Sequence, residues 1–113
     1  KTKLLTHSKR MSMEILSSLK RVQKTSKFIG DVRGIGMMFG IEYVRDKRSK
    51  EPFPEMAKLV RKQCYENGLL VEIGGYYDNV VRFLPPLIVT SVIVKNGLRI
   101  FNKANKLAER ALQ

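Results

Sequence analysis

The stretch FIGDVRGIGMMFGIEYVRD, residues 28–46, limits the possible folds of this chain more than any other. Gly30, Gly34, Gly36 and Gly40 punctuate an otherwise apolar run. Each glycine weakens a helix by about 1 kcal/mol, so four of them exclude one here. In a strand, glycines mark bulges or places where backbones approach closely. The stretch therefore reads as a turn followed by a strand over about residues 35–44, and any fold for this chain must contain a sheet.

Helical patterns flank that strand. Leu4, Met11, Ile15, Leu19 and Val22 recur at helical spacing through residues 3–25, with Lys9, Lys20 and Lys24 largely on other faces. After the polar loop RDKRSKEPFP, Pro54 suits the first turn of a second helix, because its missing N–H costs nothing there. That helix runs to about Asn67, with Ala57, Val60 and Cys64 on one face and Gly68 as its left-handed stop. LLVEI (69–73) and VVRFL (80–84) read as two strands joined by the turn GGYYDN. Pro85 and Pro86 end the second, since proline donates no ladder hydrogen bond. Thr90 can cap a last helix over 91–112, burying Val94, Leu98, Phe101, Ala108 and Leu112.

The order is helix, strand, helix, strand, strand, helix. A crossover helix makes the first two strands parallel, and the hairpin makes the third antiparallel to the second. The expectation is an α+β domain: a three-stranded, mainly antiparallel sheet in the order 1-3-2, covered on one face by helices. Residues 1–27 form a linking amphipathic helix and residues 28–113 the α+β sandwich, as one domain.

Several chemistries are excluded. One cysteine, Cys64, permits no internal disulfide, and with one histidine, His7, no Cys/His zinc site can form. Cys64 reads as core packing. The glycines of GIGMMFG open a strand instead of joining a strand to a helix, so no dinucleotide fingerprint is present. No apolar run reaches the roughly 20 residues of a membrane span. The net charge of +12 is uneven: residues 1–27 hold eight Lys/Arg against Glu14 alone. Such a charge attracts nucleic acid, but Phe39, Phe83, Tyr76 and Tyr77 form no stacking platform with the basic helix.

Arg82 is the residue without an obvious reason. It stands in NVVRFLPPLIVT, residues 79–90, with Val80 and Val81 before it and Phe83 and Leu84 after it. Arginine stays charged at ordinary pH, and an unpaired charge in apolar surroundings costs several kcal/mol. Three outcomes remain: it snorkels to water, it pairs with Glu42 or Glu72 on a neighbouring strand, or it receives an anion from outside. Its planar fork suits a carboxylate held by two hydrogen bonds.

GDVRGIGMMFGIE (30–42), NGLLVE (67–72) and NVVRFLPPLIVT (79–90), in this order and spacing, resemble the C-terminal domain of class III pyridoxal-phosphate aminotransferases. The resemblance covers nearly the whole chain. It implies that Arg82, the arginine of R-x-x-P-P-L, binds the carboxylate of an amino acid or 2-oxo acid substrate. It implies that Arg33 is a structural, ion-pairing residue. It implies pyridoxal 5'-phosphate as cofactor, bound by a large upstream domain that carries the Schiff-base lysine, so that this last quarter is inactive alone. It further implies a cytoplasmic homodimer at full length, with no specific nucleic acid and no membrane as partner. VEIGG before NVVRFLPPL looks most like the 2,4-diaminobutyrate branch. Two departures stand out. Ile93 and Lys95 replace the acidic or glutamine residues that usually follow the Thr90 cap, and Met37 replaces a common leucine. The alternative function is a free-standing basic nucleic-acid-binding module.

Overall fold

The computed structural model describes the backbone of residues 2–85 and 90–113, with side chains from residue 6 onward. The burial expected of Leu4, and the strand-ending role and motif positions of Pro86 and Leu87, lie outside the described residues. The elements are α1 (Thr2–Thr25), β1 (Ile29–Ile35), β2 (Met38–Tyr43), α2 (Pro54–Glu66), β3 (Glu72–Gly74), β4 (Val80–Phe83) and α3 (Ser91–Leu112).

The sheet has four strands, in the order β1-β2-β4-β3, and every neighbouring pair is antiparallel. This corrects the three-stranded expectation. The expected strands are β2, β3 and β4, and they keep the order 1-3-2, with β2 and β3 pointing the same way on either side of β4. The unexpected strand is β1, hydrogen-bonded to the outer edge of β2. Its pairing shifts register between Ile29 and Asp31, so both Ile29 and Val32 are buried although three positions apart. A bulge of this kind erases the two-residue alternation by which strands are recognised. Gly36, at a φ of 59°, makes the tight turn into β2, and Ser12 Oγ of α1 donates to its carbonyl.

The helices pack against one face of the sheet. Met11, Ile15 and Leu19 of α1, Met56, Ala57, Val60 and Cys64 of α2, and Val94, Phe101, Ala104 and Ala108 of α3 share one core with Val32, Phe39, Ile41, Val81 and Phe83. Leu98 is only half-buried, and Leu112, expected inside, is exposed as the last residue of α3. Asn67 and Gly68 end α2 as anticipated, with Gly68 at a φ of 89°. Thr90 caps α3 by accepting a hydrogen bond from the Ile93 amide at 3.3 Å. The cap therefore forms without the acidic partner that usually follows it. β3 is shorter and later than the expected 69–73, and Gly74 belongs to the strand, not the turn.

A buried polar group joins α3 to the sheet. The Tyr43 hydroxyl donates to Asn105 Oδ1 at 2.7 Å. Asn105 Nδ2 donates to Glu109 Oε2 at 2.8 Å, and Ser26 Oγ donates to the same oxygen at 2.7 Å. The other Glu109 oxygen accepts from the Lys27 amide.

Two buried groups give the fold a pH dependence. Burial pushes the Cys64 thiol up to about 12. Burial first, then the nearby Cys64 and Glu109, holds the Tyr43 phenol well above its usual range. The unfolded chain releases these protons at the ordinary values of 9.0 and 10.0. The folded state thus keeps protons that the unfolded state gives up. The stability this contributes is complete below about pH 9 and is lost as pH rises towards 12. The denaturant midpoint is expected to hold to about pH 8.5 and to fall steadily above about pH 9. A midpoint unchanged across that alkaline range would contradict the burial of both groups.

Candidate substrate-carboxylate site

The bare face of the sheet carries the candidate site. Along β4, Val81 and Phe83 point to the helices, while Val80 and Arg82 point to the opposite face. Arg82 is exposed. Its apolar neighbours in sequence suggested a buried arginine, but strand alternation sends the flanking Val81 and Phe83 to the core and the guanidinium to the other side.

The two carboxylates proposed as its partners are accounted for differently. Glu42 Oε1 accepts from Arg33 Nη1 at 2.9 Å, and Asp31 Oδ2 accepts from the same nitrogen at 2.8 Å. Arg33 is therefore the ion-paired arginine of this face, and its pKa is raised chiefly by the hydrogen bond to Glu42. Glu72 stands directly opposite Arg82 in the β3–β4 register. No ion pair or side-chain hydrogen bond joins them. Among the described residues Arg82 makes no salt bridge and no side-chain hydrogen bond. Its guanidinium lies over Gly74, where an added Cβ would collide with Cζ and Nε and stand 2.7 Å from Nη2. Sequence reading placed Gly74 in the turn and assigned it no part in the site. The signal was present in VEIGG, as a glycine two residues after the acid opposite Arg82.

Elsewhere the surface offers other chemistry. An apolar cavity of about 220 Å³ lies on the helix side, lined by Ile15, Leu69, Phe83, Leu84 and Leu98 among others, and no ionisable group lines it. A groove of about 510 Å³ between α1 and α3 is lined by Arg21, Lys95, Arg99 and Lys106. It is the obvious seat for a phosphate backbone, but no aromatic side chain lines it, and Tyr76 and Tyr77 meet edge-to-face in the β3–β4 loop. Charge without a stacking surface gives weak, sequence-blind binding. Among the described residues no cluster of His, Cys, Asp and Glu could hold a metal, and no helix is long and apolar enough to cross a membrane.

Pyridoxal phosphate does not fit these residues. A Schiff-base lysine stands in a pocket beside groups that hold a phosphate and a pyridine nitrogen. Every lysine whose side chain is described is exposed, and neither cavity combines such a lysine with a carboxylate.

Comparison with known proteins bears on the family and the fold. The family model for aminotransferase class-III matches residues 1–104. An adenosylmethionine-8-amino-7-oxononanoate aminotransferase from Staphylococcus aureus is 40% identical over 92% of this chain, which covers 22% of that protein. An alanine/serine racemase from Pyrococcus horikoshii is 35% identical over 91% of the chain, which covers 21% of it. The crystal structure of a Bacillus anthracis aminotransferase superposes with a TM-score of 0.86 at 30% identity, over 94% of this chain and 25% of that one. The chain thus spans between a fifth and a quarter of the length of these relatives. With a family model covering nearly its whole length and a sheet and helices that superpose on a solved member, the chain belongs to the class III aminotransferases.

Proposed function

We propose that this chain is the C-terminal, carboxylate-binding domain of a pyridoxal-phosphate-dependent aminotransferase, and that Arg82 binds the carboxylate of the amino acid and 2-oxo acid substrates. The observation that carries this reading is the state of Arg82. It is an exposed guanidinium with no ion pair among the described residues, on the sheet face the helices leave bare, while its neighbour Arg33 is paired twice. A free fork on a rigid strand can meet a carboxylate with two parallel hydrogen bonds.

Under this reading the cofactor and its lysine are supplied by the rest of the protein, and residues 1–27 lead from that part into the sandwich of residues 28–113. The intact enzyme is a cytoplasmic homodimer. The amino donor is a diamino or ω-amino acid, with 2,4-diaminobutyrate favoured. Glu72 supports that choice, because an acid opposite Arg82 suits a substrate that carries an ammonium as well as a carboxylate.

The test is Arg82→Ala in the intact enzyme, assayed with two amino donors that differ only in the carboxylate. A selective loss with the carboxylate-bearing donor is expected. Equal kinetics with both donors, before and after substitution, would remove Arg82 from substrate binding.

A further inference from the structure

Arg82 has a glycine on each side. Gly40 of β2 is its direct partner, and Gly74 of β3 is diagonal to it, one strand position beyond its direct partner on that face, Glu72. The two glycines are not equivalent. A Cβ at Gly40 would meet only a Val80 methyl, at 3.4 Å. A Cβ at Gly74 would occupy the space of the guanidinium itself. The arginine side chain therefore bends towards β3 and rests on bare backbone. Gly74 is not among the positive-φ glycines, so its backbone accepts alanine, and only the space above it calls for glycine. The atoms that alanine would displace are the far end of a flexible side chain. Alanine should move the guanidinium and leave the sheet folded.

We infer that Gly74 is a positioning residue: its missing side chain is the seat that holds the Arg82 fork against β3 and sets the angle at which it meets a carboxylate. A long side chain with many rotamers loses much conformational freedom when it binds. A seat that already confines it leaves less to lose and fixes the plane in which two hydrogen bonds form. The inference rests on reading Arg82 as the carboxylate ligand.

The experiment is a double-mutant cycle in the intact enzyme: wild type, Gly74→Ala, Arg82→Ala and the double variant. Each is assayed for kcat and KM with a 2-oxo acid acceptor, and with an amine donor that has no carboxylate. Gly74→Ala is expected to raise KM for the 2-oxo acid about tenfold, with a smaller change in kcat, and to leave the carboxylate-free donor unaffected. In the Arg82→Ala background it should change nothing further. If Arg82→Ala raises KM and Gly74→Ala does not, the seat is refuted and the role of Arg82 survives. If Gly74→Ala has the same effect with and without Arg82, it acts through the sheet, and the inference is overturned. If Arg82→Ala itself leaves KM unchanged, the carboxylate reading falls and the seat falls with it.

Discussion

Replacing Arg82 by alanine in the intact enzyme is expected to raise KM for the 2-oxo acid about 100-fold, equivalent to about 2.7 kcal/mol. The magnitude follows from what is removed. A hydrogen bond to a charged group contributes about 1.5–3 kcal/mol net, and a bidentate fork supplies two that share one side chain's ordering cost. Strand β4 holds the Cα in place, with Val81 and Phe83 anchored in the core on the other side, so alanine should leave the fold intact. The loss should fall mainly on KM, because the carboxylate is held alike in ground and transition states. Arg82→Lys keeps the charge and loses the fork, and recovery of about half the loss on a logarithmic scale is expected. Steady-state kinetics in which the 2-oxo acid is varied, with a carboxylate-bearing and then a carboxylate-free donor, check all of this. Lysine that restored full activity would show that charge alone suffices.

Asn105→Leu is expected to destabilise the folded state by about 3 kcal/mol. Leucine keeps asparagine's branching and heavy-atom count, but its methyl groups are bulkier than the amide, so some overpacking adds to the cost. The larger part is polar. The Tyr43 hydroxyl, fully buried, loses its acceptor Asn105 Oδ1, and Glu109 loses a donor at 2.8 Å. A buried hydroxyl left without a partner costs about 1–3 kcal/mol, and a lost bond to a charged group about as much again. Removing the hydroxyl as well should recover part of this, so Tyr43→Phe in the Asn105→Leu background is expected to be more stable than Asn105→Leu alone. Denaturant titration of the four proteins of this cycle provides the measurement. A double variant less stable than the single one would show that Tyr43 contributes through contacts other than this hydrogen bond.

The sequence carried the helices and the segments of β2, β3 and β4 because each signals locally. Pro54 and Gly68 bracket α2, Thr90 opens α3, and the apolar spacing of Met11, Ile15 and Leu19 defines α1. β1 was hidden by its own bulge, which puts Ile29 and Val32 on the same side of the sheet out of step with strand alternation. The Tyr43–Asn105–Glu109 group was hidden by distance, since a polar residue on an apolar helix stripe becomes interpretable only when its partner from another element is known. Asn105 sits one turn after Phe101, on the buried stripe. Arg82 could be singled out as unusual from its neighbours alone. Its direction could not, because whether an arginine mid-strand faces core or solvent depends on the register of strands on both sides. The seat at Gly74 needed that register too.

The polar link between α3 and the start of the sheet also shapes how the chain folds. Ser26 meets Glu109 across 83 positions of sequence, and Tyr43 meets Asn105 across 62. Closing loops of that length costs entropy that local contacts do not. The β1–β2 hairpin, turned at Gly36, closes with almost no loop and can form early. α3 is then expected to dock last and complete the core. Asn105→Leu should consequently leave the refolding rate nearly unchanged and speed unfolding. A slowed refolding limb would place α3 in the folding nucleus instead. Until α3 docks, Phe83 lacks the edge-to-face cover of Phe101, and this half-built core is the species most prone to aggregate during folding.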